Sequence, residues 1–294
     1  MSDDAYSLDR RAVRRAFSAA GHDYDNFAVL QAEVRQRLLE RLTLFKLQPA
    51  VVLDLGSGTA ASSNALHQHY PQALVVAMDA ALGMLQHAKS SRRWFGGKSF
   101  HRVCADAYHM PYKSASIDLI FSNLMLQWCD PPDAVFAEVR RVLKPDGVFI
   151  FSTFGPDTLT ELRDAWGKVD QHTHVNRFID MHDVGDAMMR AGLSEPVLDV
   201  ERFTLTYPDV LTLMRELKAI GAHNVTRGRR HGLTGRAALN QMIHHYEQYR
   251  YDDVLPASYE VVYGQAWGSV AASSSAIGDR HEIRIPIDRI GRRS

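Results

Sequence analysis

The sequence predicts an α/β protein built on a doubly wound, mostly parallel, seven-stranded sheet. Three observations predict it. Between residues 50 and 155, short apolar runs rich in β-branched residues alternate with amphipathic helical stretches through short loops. The first of these runs, Val51-Val-Leu-Asp54, passes into a tight Gly56-Ser-Gly58 turn and then a helix. Polar residues close successive strands, at Asp54, Asp79, Asp106 and Asn123, on the carboxyl edge where such sheets bind ligands.

The elements follow in order. Residues 8–21 carry Arg10, Arg11, Arg14 and Arg15 around Val13 and Phe17, and residues 28–47 place Leu30, Val34, Leu38, Leu42 and Phe45 at helical spacing, so both read as amphipathic helices. Between them a polar connection carries Tyr24, read either as a packing residue or as a lid over the glycine turn. After the turn come a helix over 60–69, a strand over 73–78, a helix over 81–89 and strands over 100–105 and 117–122. A helix over 133–142, turn chemistry at Lys144-Pro-Asp-Gly147 and a fifth strand over 148–154 complete the alternation. Beyond it lie a helical segment to about residue 168 and a helix over 183–191 closed by Gly192. A sixth strand over 197–207, broken by Glu201 and Arg202, precedes a mostly helical insertion over 209–255, and a last strand spans 259–267. This divides the chain into an N-terminal helical cap (1–48), a main domain with a lid insertion (49–268), and a flexible linker and tail (269–294).

Composition narrows the function. With 34 basic and 34 acidic residues among 294, no global field draws the chain to nucleic acid or membrane. Two cysteines make neither a disulfide scaffold nor a metal-ligand spacing, and no apolar run reaches the roughly 20 residues of a membrane span. The polar start does not read as a signal peptide, so a cytoplasmic location is expected.

The candidate site is the carboxyl edge. Gly56 and Gly58 let a ligand approach the backbone, and Asp79, 21 residues beyond Gly58, stands where a carboxylate accepts from ribose hydroxyls or else caps the next helix. Ala80 follows it. Asp106, with Ala107 beside it, would accept from an adenine amino group or serve as a loop carboxylate. Asn123 opens Leu124-Met-Leu-Gln127-Trp128, a wall for the reacting centre, or is a satisfied turn amide. No lysine-bearing phosphate loop is present, and Asp54 would repel a pyrophosphate but welcome an amine, which favours S-adenosylmethionine over NAD.

Asp54-Leu-Gly-Ser-Gly-Thr59, Asp79, Asp106-Ala-x-x-Met-Pro111, Ile117-Asp-Leu-Ile-Phe-Ser-Asn123 and Val142-Leu-Lys-Pro-Asp-Gly147 resemble the ordered motifs of class I S-adenosylmethionine-dependent methyltransferases, a Rossmann-like fold. The resemblance implies that Gly56 and Gly58 pack against the methionine part, Asp79 binds the ribose, Asp106 lies at the adenine side and Asn123 near the amino-acid end, with Asp54, Ala80, Ala107 and Gln127 completing the cofactor set. Phe154-Gly-Pro-Asp-Thr-Leu159, Val175-Asn-Arg-Phe-Ile-Asp-Met-His-Asp183, Arg215-Glu-Leu-Lys-Ala-Ile-Gly-Ala-His-Asn224 and Leu255-Pro-Ala-Ser-Tyr-Glu-Val-Val-Tyr-Gly264 look like the malonyl-acyl-carrier-protein O-methyltransferases of biotin synthesis. Val13-Arg-Arg-Ala-Phe17, Tyr24-Asp25 and Leu30-Gln31 fit as well. The hydroxylase-type assembly factors of respiratory complex I are similar across the core, but Lys218-Ala-Ile-Gly-Ala222 fits the biotin group better.

The implied acceptor is a malonyl thioester on acyl carrier protein, or malonyl-CoA, and no metal is implied. An ionised carboxylate attacks a sulfonium methyl without a general base, so catalysis rests on alignment and on a partner for the desolvated charge. Lys218, Arg177 and Tyr24, in that order, are the expected partners. His172, His174 and the His244-His245 pair read as surface residues, because no zinc-ligand spacing accompanies them. Acyl carrier proteins are acidic, so either Arg10, Arg11, Arg14 and Arg15 or Arg227, Arg229 and Arg230 would steer docking. Another acceptor on the same fold, hydroxylase chemistry, and a non-catalytic cofactor-binding assembly protein are the alternative readings.

Overall fold

The computed structural model describes residues 6–89, 100–229, 232 and 234–269. Arg230 and all but the first residue of the linker and tail expected over residues 269–294 lie outside them.

Seven strands, β1 (Val51–Leu55), β2 (Leu74–Asp79), β3 (His101–Cys104), β4 (Ile117–Asn123), β5 (Leu143–Phe154), β6 (Ser194–Tyr207) and β7 (Leu255–Trp267), form one sheet in the order β3-β2-β1-β4-β5-β7-β6. β1 to β5 pair in parallel, while β7 runs antiparallel between β5 and β6, so the sheet is mostly parallel as predicted. The chain order runs outward in opposite directions from β1 and from β4, which opens a crevice at the carboxyl ends of that central pair.

Successive side chains on a strand face opposite ways, so two cores form. On one face Val52, Leu119, Phe121, Val148 and Ile150 pack with α3 (Val29–Leu42) and α4 (Ala61–His69). On the other, Leu53, Leu55, Ile120, Phe149 and Phe151 pack with α6 (Pro132–Val142) and α8 (Met181–Arg190).

Two elements differ from expectation. β6 is continuous rather than broken, with Glu201 opposite Val261 and Arg202 opposite Glu260. It is an edge strand that leaves part of its surface open to solvent, and Glu201 is neutralised by Arg37 of α3 at 3.2 Å, so charged residues interrupt neither face. The Lys144–Gly147 turn sits inside β5 as a bulge, since β4 pairs Ile117 with Leu143 but Leu119 with Val148.

A cover closes over the carboxyl edge from both ends of the chain. α1 (Arg10–Ala20) is capped by Asp9, whose carboxylate accepts from the backbone of Arg11 and Ala12. A helical turn, α2 (Tyr24–Phe27), occupies what the sequence suggested was a plain connection. α9 (Val210–Ala219) and α10 (Arg236–Tyr246) lie between β6 and β7, while α7 (Thr160–Gly167) follows β5. Leu8 bridges Thr226, and the Asp9 N–H donates to the Val225 carbonyl at 2.9 Å, which ties the start of the chain to the loop after α9. α1 rests on α5 (Leu82–His87) through Gly83, where a β-carbon would overlap the Ser18 carbonyl. Gly221, at φ +77°, brings the loop after α9 against α1, where an added β-carbon would stand 3.3 Å from the Ala16 carbonyl oxygen.

Gly83→Ala is therefore expected to displace α1 and lower unfolding free energy by about 1–3 kcal/mol, as overpacking does. Denaturant melts check this, and a wild-type midpoint would count against the close approach of α1.

Candidate functional site

The site is built on the turn between β1 and α4. The Met78 carbonyl accepts from the Gly56 and Ser57 N–H groups at 2.8 and 3.0 Å, which ties the turn to β2. Gly56 and Gly58 sit at φ +74° and +54°. A β-carbon on Gly56 would overlap Met125, whereas one on Gly58 would meet nothing within 4 Å, so open space lies directly over Gly58. Asp79 holds both sides of the crevice together: one carboxylate oxygen accepts from the Gly58 N–H at 2.9 Å and the other from the Ala81 N–H at 2.7 Å. Each oxygen keeps a lone pair for a further donor.

Above the turn is a cavity of about 550 Å³, the size of pockets that hold nucleoside-sized ligands. Gly56, Gly58, Asp79, Ala80, Asp106, Ala107, Asn123 and Tyr24 all line it. Met78, Met84 and Ala105 add apolar walls, and Arg10, Arg11, Arg14 and Phe17 of α1 form its roof. Asp106 is already engaged: Arg10 pairs with it at 2.7 Å and lays its guanidinium 3.7 Å from the Tyr108 ring centre, which latches α1 across this end of the cavity. Asn123 is satisfied by protein on both sides, donating to the Gln31 carbonyl at 3.0 Å and accepting from Ser152 at 2.9 Å, so it braces the wall.

Two predicted cofactor residues do not line this cavity. Gln127 lies beyond the Leu124–Trp128 wall, because the helical turn over Leu126–Trp128 directs it to the far side, where it donates to the Leu124 carbonyl at 2.6 Å. Asp54 is buried beneath the turn, with one oxygen accepting from Ser63 at 2.5 Å and the other without a hydrogen-bond partner. Burial pushes its carboxyl up to about 7; the Ser63 bond opposes this and nearby Asp79 reinforces it. An orphaned carboxylate oxygen beneath an open, partly apolar cavity suits a ligand that carries positive charge.

A smaller inner cavity of about 80 Å³ adjoins the first and shares Phe17, Tyr24, Leu124 and Trp128 with it. Tyr24 stands on this border. Burial, with Asp79 and Asp25 nearby, pushes its hydroxyl far above the ordinary tyrosine range, so it stays protonated and can donate. An outer groove of about 1080 Å³ meets the inner cavity at Gln127, His174, Val175 and Phe178.

The expected basic partners fall elsewhere. Lys218 is exposed on α9 and lines none of these three spaces, because that helix turns Val210 and Leu213 inward instead. Arg177 is exposed in the outer groove, between the buried Asn176 and Phe178. His174, in contrast, is not a surface residue. Its side chain is 13% exposed, lies 2.8 Å from Asp170, stacks flat on Trp166 and lines the inner cavity. The four-residue spacing from Asp170 was visible in sequence, but the Trp166 partner and the cavity were not. Among the described residues no cluster of three or more histidine, cysteine or acidic side chains could hold a metal.

The raised Asp54 carboxyl has a consequence for stability. The folded state holds this proton between about pH 4 and 7 while the unfolded state releases it, so the contribution of Asp54 to stability falls as pH rises through that window. Without ligand, Asp54→Asn should therefore gain on the wild type in unfolding free energy from pH 4.5 to 7.5. A constant difference between the two across that range would show that Asp54 is not titrating there.

A sequence profile described as a methyltransferase domain matches residues 53–151, the β1-to-β5 segment that carries the cavity. The chain is 53% identical over 271 residues to the malonyl-[acyl-carrier protein] O-methyltransferase of a Methylovorus species, covering 91% of this chain and 92% of that one. It is 52% identical over 266 residues to the protein of that name from Gallionella capsiferriformans, covering 89% and 92%. The crystal structure of the YcgJ protein from Bacillus subtilis has the same fold, with a TM-score of 0.56 at 16% identity over 80% of this chain and 99% of that one. By identity sustained over almost its whole length, on a seven-stranded fold with the expected cavity, the chain belongs to the malonyl-[acyl-carrier protein] O-methyltransferase family.

Proposed function

We propose that this chain transfers the methyl group of S-adenosylmethionine to the free carboxylate of a malonyl thioester on acyl carrier protein, giving the methyl ester that primes biotin synthesis. The observation that carries this reading, beside the family, is the adjacency of a donor-sized cavity and a small inner cavity across Tyr24, Phe17, Leu124 and Trp128. When bound, the donor supplies an electrophilic sulfonium methyl, and the acceptor, ionised near neutral pH with a reference pKa of about 4, needs no general base.

The residues divide the work. Gly56 and Gly58 open the backbone to the donor, Asp79 takes its ribose hydroxyls on its remaining lone pairs, and Ala80, Asp106 and Ala107 border the base. Asp54 puts negative charge beneath the amino-acid end. Tyr24 donates from its permanently protonated hydroxyl where donor and acceptor meet. The α1 roof and the Phe17–Trp128 edge contact, 5.1 Å between ring centres, exclude water from that junction.

The carrier protein has a surface to meet. Members of the two arginine clusters, far apart in sequence, come near each other where Leu8 bridges Thr226: the Ala12 and Arg11 backbone N–H groups hold the Asp9 carboxyl low, and the charges of Arg229 and Arg15 add to this. Exposed Arg11, Arg14 and Arg15 on α1 continue this basic face. It suits an acidic protein. Nucleic acid and membrane have no part in this reading, and no described helix is long and apolar enough to cross a membrane.

Labelled S-adenosylmethionine incubated with malonyl-acyl carrier protein should yield a base-labile methyl ester, and absence of that product would refute the proposal. Asp79→Ala should weaken donor binding by about 10–100-fold, the worth of hydrogen bonds to a charged group; titration calorimetry showing wild-type affinity would rule out its ribose role. Arg15→Glu with Arg229→Glu should raise KM for the carrier substrate and blunt its salt dependence while leaving kcat in place. An unchanged KM in that double variant would sink docking on this face.

A further inference from the structure

Thr59, which follows the second glycine of the β1–α4 turn, is 6% exposed and lines neither the large cavity nor the inner one. Its hydroxyl donates instead to the Asp25 carboxylate, 34 residues earlier in the chain, at 2.5 Å. Asp25 lines neither cavity, yet Tyr24 beside it lines both. The bond therefore joins the turn beneath the large cavity to the short helix that carries the residue on the border of the two. That helix has little of its own to hold it. α2 has four residues, against the roughly 12–15 that an isolated helix needs. Asp25, Asn26 and Phe27 are exposed, and no side chain caps the element. Its backbone bonds are local, from the Asn26 N–H to the Asp23 carbonyl at 3.0 Å and from the Ala28 N–H to the Tyr24 carbonyl at 3.0 Å. With little apolar burial to fix it, a specific bond has to set where α2 lies. The other end of that bond is firm: the Gly58 N–H is held by Asp79, the Ala60 N–H donates to the Ser57 carbonyl at 2.8 Å, and a β-branched side chain has few rotamers.

We propose that Thr59, acting through Asp25, is a positioning residue that holds Tyr24 in place on the border between the large cavity and the inner one. This rests on the malonyl-transfer reading above, in which the Tyr24 hydroxyl donates where the two reactants meet. Alignment is most of what this enzyme supplies, and a group misplaced by about 1 Å loses on the order of 100-fold in rate. The residues of one turn then divide two tasks. Gly56 and Gly58 open the backbone to the donor, while Thr59 reaches past the cavity to α2, so Tyr24 takes its place from the same turn that receives the donor. Valine at position 59 would keep the shape of threonine but leave the Asp25 carboxylate to water, and α2 would lose its tie to the turn.

Three variants test the link: Thr59→Val removes the hydroxyl at nearly constant shape, Thr59→Ser restores it, and Tyr24→Phe removes the group being positioned. The readouts are amide hydrogen exchange of α2 in the ligand-free chain, steady-state methylation of malonyl-acyl carrier protein, and S-adenosylmethionine affinity by calorimetry. Thr59→Val should speed exchange at the Asn26 and Ala28 amides about tenfold and lower kcat about tenfold or more, as loss of a hydrogen bond to a carboxylate does. Donor affinity should stay within about threefold, and Thr59→Ser should return both exchange and kcat to within about threefold of the wild type. In a Tyr24→Phe background, Thr59→Val should cost less than about twofold more in kcat, because the two residues act as one unit. A full further loss there would overturn the inference, and so would wild-type exchange and kcat in Thr59→Val. If Thr59→Val folds poorly, Asp25→Ala breaks the same bond from its exposed side and decides by the same two measurements. A wild type that makes no base-labile ester brings down the malonyl reading alone, since exchange in α2 still decides whether Thr59 holds it.

Discussion

The arrangement depends on how a turn with two left-handed glycines is held open. Nothing in the turn itself favours that shape. It is held from outside, by the Met78 carbonyl taking two of its N–H groups and by the Asp79 carboxylate taking a third. These bonds come from the end of β2, so the adjacent parallel strand is part of the turn's construction. Asp79 thereby serves two ends at once. It fixes the backbone beneath the large cavity, and its remaining lone pairs face the same space. The cost is the burial of two carboxyls, which raises the proton affinity of both, and Asp79 adds to the effect on Asp54. A cationic ligand relieves that strain, so the same burial that destabilises the empty site favours the occupied one.

The roof is a second dependency, and it comes from chain segments that meet only in the folded protein. α1 can lie across the crevice because Gly83 lets it touch α5, Gly221 lets the loop after α9 touch it from the other side, and Leu8 bridges Thr226. Arg10 then latches α1 to Asp106 and Tyr108. Surface ion pairs contribute little to stability, so the glycine contacts, more than this latch, keep α1 in place.

The charged side chains are distributed differently around the large cavity and the inner one. Asp54 and Asp79 lie at the glycine turn, while the inner cavity is lined by aromatic, aliphatic and amide groups together with His174, His223 and Glu216. A flexible lysine in a space of about 80 Å³ would bring a strongly hydrated ammonium into it.

Much of this was legible in the chain. Alternating apolar runs and helical spacings foretold the seven strands, their mostly parallel sense and the carboxyl edge, because strand and helix periods are local and a doubly wound sheet has few ways to close. The glycine turn and the spacing to Asp79 were equally readable, since the chemistry there lies within one βαβ unit. What was not legible depended on long-range neighbours. Glu201 and Arg202 look like a strand break until Arg37 and Glu260 stand beside them. Lys218 and Arg177 look like anion partners until packing turns them outward, and His174 looks like a surface residue until Trp166 and Asp170 enclose it. Arg15 and Arg229 look like parts of alternative clusters until the Leu8–Thr226 bridge brings both near Asp9. By itself, then, the sequence determined the scaffold and the donor turn, because these follow from local periodicity and short-range spacing. Only the tertiary structure decided which charged side chains line the cavities, because a side chain's direction and solvation are set by neighbours far away in the chain.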